Sequence, residues 1–504
     1  MLKAIIGNSI YAYHTTNEHY FRRFRENTIG SRHTFTSPYG KKTLIYADWA
    51  ASGRLYGPIE SKIIDDFGPF AANTHSHSNV SGHTMTLAYE EAKAIIKKHV
   101  NAGKHDILLF AGTGMTGAVN KLQRLLGLKV PDGLKDRFHL SEEQRPIIFV
   151  THMEHHSNHI SWAETIGEVV CVPPGPDGEV DPGQLERLLR KFGRRKIKIG
   201  AFTACSNVTG FETPYHELAR IMHRHGGMCF VDFSASAPYV NIDMHPADSP
   251  QDRLDGILFS AHKFLGGPGS SGVLIMDERR CASRIPDQPG GGTVAWTNPW
   301  GEYIYNKDAE SREDGGTPGV MQAIRTALCI RLKEEMGALC MRERERELTA
   351  LLLKELEAVP GIHVLGGNRR NRLGIVSFTA NSVHYNLMVK LLNDRFGIQV
   401  RGGCSCAGTY GHYLLDIGQE DSHQIAGLVA AGDFSRKPGW VRVSLHPTMT
   451  NREVGYIAAS VKEVMDHIAE WKKDYSYDAA TGEWEHLKEQ PEERRKAIRE
   501  WFTL

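Results

Sequence analysis

Neither sign of charge is in excess in this chain: 60 lysines and arginines stand against 59 aspartates and glutamates in 504 residues. That balance argues against nucleic acid or an anionic membrane as partner, because both select strongly basic surfaces. No apolar run approaches the roughly 18 residues of a membrane span. The opening MLKAIIGNSIYAYH has too short an apolar core for a signal peptide, so a chain without a secretory leader is expected. Cysteine is sparse. The eight residues are scattered except for Cys404 and Cys406, which points to free thiols in a reducing cytoplasm rather than a disulfide framework. There is no internal repeat and no low-complexity tract. What the chain does have is length, enough for two or more domains and a large core.

Strand and helix signals alternate through most of it. Leu44-Ile45-Tyr46 enters Ala47-Asp48-Trp49-Ala50-Ala51-Ser52-Gly53, a strand ending in small residues. The polar loop Asn73–Ser78 precedes a helix with Ala88, Ala92, Ile95 and Ile96 on one face. Ile107–Phe110 reads as a strand opening into AGTGMTG, and the helix after it puts Val119, Leu122, Leu125 and Leu126 inward. Further strands are expected at 146–150, 197–201, 228–231, 257–260 and 272–276, separated by helices with Pro starts and Gly stops. This pattern predicts an α/β fold: a large domain with an open, mostly parallel sheet, then a smaller C-terminal α+β domain with strands at 374–379, 397–401 and 440–445. The expected boundaries are an N-terminal arm at 1–45, the large domain at 46–320, the small domain at 321–470 and a charged helical tail at 471–504. Residues 280–318, rich in Gly, Pro and Trp, read as a long loop.

The chemistry gathers where strands end. Ile257–Phe259 runs into Ser260-Ala261-His262-Lys263 and then breaks on glycines and Pro268. A lysine at a strand end beside a small-residue loop is held at low dielectric, where its amine is partly deprotonated and can attack an aldehyde. Lys263 therefore reads as the Schiff-base lysine of pyridoxal phosphate. That cofactor needs four further groups. Asp232, at the end of an apolar strand, would face the pyridine nitrogen. His155 would stack on the ring. Met115 and Thr116, at a Gly-rich strand-to-helix turn, would hold the phosphate with Ser260 and His262. Arg442, in Val-Arg-Val-Ser, would grip a substrate carboxylate in two-pronged fashion.

With these residues in place, the chain resembles the class V aminotransferases of pyridoxal phosphate fold type I, and most of all their cysteine desulfurase and selenocysteine lyase branch. The matching pieces are ADWAAS, GMTGAVN, EHHSN, SNVTG, VDFSAS, SAHKFLGGPGSSG, GGTPG, VRGGCSCAG and VRVSL, in the family's order from about residue 46 to 446. The resemblance implies that Lys263 is the cofactor lysine and proton shuttle, that His155 stacks, that Asp232 pairs with the pyridine, and that Thr116 binds phosphate. It implies that Asn207 and Arg442 hold the substrate carboxylate. It also implies a homodimer with shared sites, in which Thr317 of GGTPG reaches the neighbouring subunit's cofactor.

Cys406 falls where desulfurases keep their nucleophile, which takes sulfur from L-cysteine as a persulfide, releases alanine and passes the sulfur to an acceptor protein. Arg401, five residues earlier, would assist the thiol. Two positions depart from the family. Ala235 stands where a Gln usually contacts the cofactor's phenolic oxygen, leaving Ser234, Ser236 or water. Ser76 after His75 replaces a common arginine, so His75 becomes a candidate substrate contact. The resemblance leaves an aminotransferase, a selenocysteine lyase or a C–S lyase on a modified cysteine as alternatives.

In an extended strand Cys404 and Cys406 would share one face, about 6.5 Å apart. Cys404 would then either relay the persulfide or merely pack. Three rival readings of the motifs exist. Gly112, Gly114 and Gly117 match a dinucleotide fingerprint, but its acidic partner would be Glu154, 37 residues on. His152, His155, His156 and His159, with His75 and His77 or Cys404 and Cys406, would be a metal cluster without a zinc-type spacing. A non-catalytic cofactor-binding protein would have no use for Asp232 and Arg442 together. No metal is expected.

Overall fold

A computed structural model describes residues 17–504 apart from Thr113, Asn368 and Gln490. The opening segment and Thr113 of the glycine-rich turn lie outside the described residues.

Seven strands form the main sheet: Asp106–Ala111 (β1), Ile147–Thr151 (β2), Glu168–Val172 (β3), Lys198–Thr203 (β4), Met228–Asp232 (β5), Gly256–Ser260 (β6) and Gly272–Asp277 (β7). Their order is β1-β7-β6-β5-β4-β2-β3. Only β7 runs against its neighbours, so the sheet is mostly parallel, as expected. Side chains alternate between two cores. Leu108, Phe149, Phe202, Val231 and Phe259 face one, while Leu109, Val150, Ala201, Phe230 and Leu258 face the other. A parallel sheet covered on both faces needs this two-sided hydrophobicity, which is why its strands read as continuous apolar runs.

Helices cover both faces. Those that matter here are Asn17–Glu26 (α1), Val80–His99 (α2), Gly114–Leu125 (α3), His156–Ala163 (α4) and Tyr385–Phe396 (α5). In α2 Ala92 and Ile96 are buried as expected, with Met85 and Tyr89 beside them. In α1 Phe21 and Phe24 are buried, which fixes the N-terminal region to the body.

A second, antiparallel sheet contains Ile362–Val364 (β8), Ile375–Ala380 (β9), Arg401–Gly403 (β10) and Trp440–Ser444 (β11), in the order β8-β9-β11-β10. The strand expected at 397–401 is split. Ile398 and Gln399 pair in parallel with Ile45 and Tyr46, and the chain then switches to β11 from Arg401 onward. That switch draws the Ala47–Ser52 segment against the second sheet, where Ala50 N donates to Ser444 Oγ at 2.9 Å.

Two stretches depart from expectation. Within residues 280–318 a hairpin, Val294–Thr297 with Tyr303–Tyr305, and a short helix, Ala309–Glu313, interrupt the loop. The tail expected to be helical has a single 3-10 turn at Lys472–Asp474 and then a hairpin, Tyr475–Asp478 with Glu483–His486, before the α-helix Pro491–Glu500. Tyr475 is buried, and its hydroxyl donates to Asp394 Oδ2 at 3.0 Å, so an apolar ring hidden in a charged segment fastens the hairpin to α5. Among the described residues no helix is long and apolar enough to cross a membrane.

Candidate active site

The C-terminal ends of β2, β4, β5 and β6 and the N-terminus of α3 open on one cavity of about 220 Å³, the usual place for a ligand in an open α/β sheet. It also receives the loop after β10 and Arg442 of β11. Eleven residues singled out in the sequence line it: Lys263, Asp232, His155, Met115, Thr116, Ser260, His262, Asn207, Arg442, Arg401 and Cys406.

Lys263 follows the end of β6, and its amine donates no hydrogen bond to a described residue. Burial lowers its pKa to about 8, with Asp232 pulling upward and Arg442 and Arg401 pushing down. Asp232 ends β5. Burial raises its carboxyl pKa against the pull of the Ser234 hydroxyl and N–H and of the Lys263 charge. His155 caps α4: its Nδ1 accepts from Ser157 N at 3.1 Å, so a neutral ring carries its proton on Nε2. Burial, then the Lys263 charge, lowers its pKa to about 4, leaving a flat uncharged ring at neutral pH.

Hydroxyls and N–H groups gather at the start of α3. Met115 N donates to Ser260 Oγ at 2.8 Å, and the hydroxyls of Thr116 and Ser157 are 2.7 Å apart. Gly114 has φ +57°, and a Cβ there would stand 3.0 Å from Ser260 Oγ and 3.1 Å from the His262 ring. Only glycine leaves this approach clear. Ser234 Oγ lies 3.5 Å from Ser260 Oγ and lines the cavity beside Ala235. Ser236 turns away, its hydroxyl donating to Phe233 O, so of the two serines only Ser234 faces the cavity.

Arg442 is buried. Its Nη1 donates to Asn207 O at 3.1 Å and its Nη2 to Asp48 Oδ1 at 2.8 Å. Its Nε is buried with no partner among the described residues. Arg401 Nε donates to the other oxygen of Asp48 at 3.0 Å. Asp48 thus holds both guanidinium groups, a role the sequence reading missed. The signal was there, one carboxylate set among the small and apolar residues of ADWAAS.

The cysteine loop is not extended. Ser405 and Cys406 both adopt left-handed backbone, with φ 50° and 56°, a conformation that costs non-glycine residues on the order of 1–3 kcal/mol each. Two bonds hold it: Asn207 Nδ2 donates to Ser405 O, and His156 N donates to Cys406 O, each at 2.7 Å. Gly408 N also donates to His156 Nε2 at 2.9 Å. Asn207 therefore braces both this loop and Arg442. The expectation that Cys404 and Cys406 share a face fails, because the turn at 405–406 breaks the alternation. Cys406 lines the cavity, whereas Cys404 does not and lies within electrostatic reach of the Tyr385 hydroxyl.

Two sequence candidates lie outside the cavity of their own chain. His75 is exposed and held by a bond from its N to Thr86 Oγ1 at 3.1 Å. Thr317 is exposed in its loop. The rival motifs disperse. His152 Nε2 donates to Gly178 O, His156 serves the cysteine loop, and His159 meets the Thr409 hydroxyl. Both oxygens of Glu154 are engaged, one by Thr151 and Thr203 N and the other by Asn158, leaving that acid buried and committed to the strand ends.

A profile of the family described as aminotransferase class V matches residues 45–457. A probable cysteine desulfurase of Halalkalibacterium halodurans is 29% identical over 371 residues, 72% of this chain and 84% of that protein. A probable cysteine desulfurase of Staphylococcus aureus is 27% identical over 370 residues, 73% of this chain and 84% of that one. Among solved structures, an apo cysteine desulfurase of Thermococcus onnurineus superposes with a TM-score of 0.70 at 21% identity, covering 88% of this chain and 98% of that one. The cysteine desulfurase CsdA of Escherichia coli gives 0.67 at 21% identity, covering 90% and 99%.

Proposed function

Because the chain belongs to the class V aminotransferase family, we propose that it is a pyridoxal phosphate enzyme that removes sulfur from L-cysteine, leaving L-alanine and a persulfide on Cys406. The observation that carries this reading is the convergence of an unbonded low-pKa amine, a buried carboxyl and a thiol on one cavity.

The donor set fits the cofactor. Lys263 offers an amine able to condense with an aldehyde, Asp232 a buried acid for the ring nitrogen, and His155 a neutral ring to stack. The cradle beside Gly114, which a Cβ would fill, lies at the N-terminus of α3 with Met115, Thr116, Ser260 and His262 around it, suited to a phosphate. When bound, the cofactor supplies an electron sink for the substrate's Cα.

The chain's own groups do the rest. Arg442 Nε, an unpartnered buried donor, receives the substrate carboxylate while Asp48 and Asn207 hold the guanidinium in place. Lys263 Nζ takes the Cα proton and returns one to the product. Cys406 Sγ bonds the substrate sulfur as that sulfur's bond to Cβ breaks. The sulfur stays on the enzyme and the carbon skeleton leaves as alanine.

The same reading includes a homodimer in which Thr317 and His75, both off the cavity of their own chain, serve the neighbouring site. It includes a sulfur-acceptor protein that takes the persulfide, and division of the chain into a large domain at 46–320 and a small one at 321–470. Cytoplasmic residence accords with eight unpaired thiols. The test is to load the protein with cofactor, add L-cysteine, and measure alanine together with a gain of one sulfur atom on Cys406. Matching amounts support the reading. Cofactor uptake without alanine contradicts it.

A further inference from the structure

The family match ends at residue 457, yet the hairpin at 475–486 is packed against α5, the helix that lies on the strand leading into the cysteine loop. Its turn and β10, the strand that leads into the loop, are joined by one residue of α5. Asn386 Nδ2 donates to Gly482 O at 2.9 Å, while Asn386 Oδ1 presses on Gly402 so closely that a Cβ there would stand 2.3 Å away. Tyr385 lies against the same backbone: a Cβ on Gly402 would be 3.2 Å from its ring, and one on Gly439 only 2.5 Å. Behind Tyr385 stands a run of rings. His384 is 4.2 Å from Tyr385 and 5.3 Å from Tyr477, and Tyr477 is 5.1 Å from Trp484. The hairpin also holds the approach to β11, with Phe434 N donating to Ala479 O at 2.8 Å.

We propose that the C-terminal hairpin is a positioning element for the cysteine loop, acting through Asn386 and Tyr385. The loop leaves β10 at Gly403, directly after the backbone on which these two residues sit. On its other side it is gripped by His156 and Asn207. A left-handed pair such as Ser405 and Cys406 persists only where its surroundings over-determine it. One set of surroundings comes from the large sheet. The other comes from α5, backed by a segment outside the family match. Trp484, half-buried, is one ring of that backing and lies far along the chain from the cavity residues.

The inference rests on the reading of Cys406 as nucleophile for its functional meaning, but its test needs no turnover. Amide hydrogen exchange on the full-length protein without cofactor compares the wild type with Trp484→Ala, Trp484→Phe and, as a control on the exposed tail helix end, Trp501→Ala. Exchange of residues 402–408 is expected to quicken about fivefold in Trp484→Ala, the scale set by a lost aromatic contact. It should recover in Trp484→Phe and stay unchanged in Trp501→Ala. The loaded Trp484→Ala enzyme is expected to lose kcat with KM for the amino acid unchanged. Should Trp484→Ala fail to fold, Asn386→Ala removes the other tie, the bond to Gly482 O, and must also quicken exchange of residues 402–408. Faster exchange in 475–486 with none in 402–408 overturns the proposal. A quickening of 402–408 in a protein that never forms persulfide leaves the positioning intact and refutes only the desulfurase reading.

Discussion

Asp48 Oδ1 accepts from Arg442 Nη2 at 2.8 Å while Asp48 Oδ2 accepts from Arg401 Nε at 3.0 Å, so one carboxylate spaces two cavity guanidiniums. Arg442 is only 2% exposed. Stripping a buried charge of its partner costs about 3 kcal/mol or more. Asp48→Ala is therefore expected to lower stability by about 3 kcal/mol, read as a shift in the urea midpoint with unchanged slope. It should also raise KM for the amino acid through loss of Arg442's aim. A midpoint within error of wild type would show that the pair carries no stability.

The Lys263 amine titrates at about 8, against about 10.4 for an unburied lysine. Its reactive form is the neutral amine, which grows as pH rises. About a tenth of it is neutral at pH 7, and the gain levels off above pH 8. Capture of added pyridoxal phosphate by the cofactor-free protein should follow that curve, with its midpoint near pH 8. Stopped-flow absorbance checks it. A rate still climbing steeply above pH 10 would assign capture to an ordinary surface lysine.

Cys406 lines the cavity and Cys404 does not. Cys406→Ala is expected to abolish alanine release while cofactor still binds. Cys404→Ser should leave persulfide formation and transfer within about twofold of wild type, as for a substitution away from the reacting atoms. Loss of sulfur transfer in Cys404→Ser would restore a relay role for that thiol.

Ser260 Oγ accepts from Met115 N at 2.8 Å at the start of α3. Ser260→Ala leaves that N–H without its partner and removes one hydroxyl from the proposed phosphate cradle. Cofactor affinity should fall about tenfold, measured by fluorescence titration, with little change in kcat at saturating cofactor.

Much of the cavity was legible because its residues sit on short local signals. Apolar strands ending in Asp232 and Ser260, and a glycine-rich turn before Met115, announce themselves within a few positions. The site's braces were not legible. Asp48 meets Arg442 from 394 residues away, and His156 reaches Gly408 across 252. No local pattern encodes such pairings. Cys404 was misplaced for a related reason: period-2 alternation holds only while the backbone stays extended, and Ser405 and Cys406 leave that region. The tail hairpin was hidden by composition, since its charged residues mask Tyr475, Tyr477 and Trp484, whose rings do the packing.

The central claim is that the cofactor is carried by Lys263. A second lysine, Lys333, is also buried, and burial lowers its pKa to about 7, but its amine already donates to Ala237 O and Val240 O. Borohydride reduction of the cofactor-loaded protein followed by peptide mass spectrometry separates the two. The expected result is cofactor fixed to the peptide containing Lys263 and lost in Lys263→Ala. Cofactor fixed at Lys333, or at no lysine, would contradict the account.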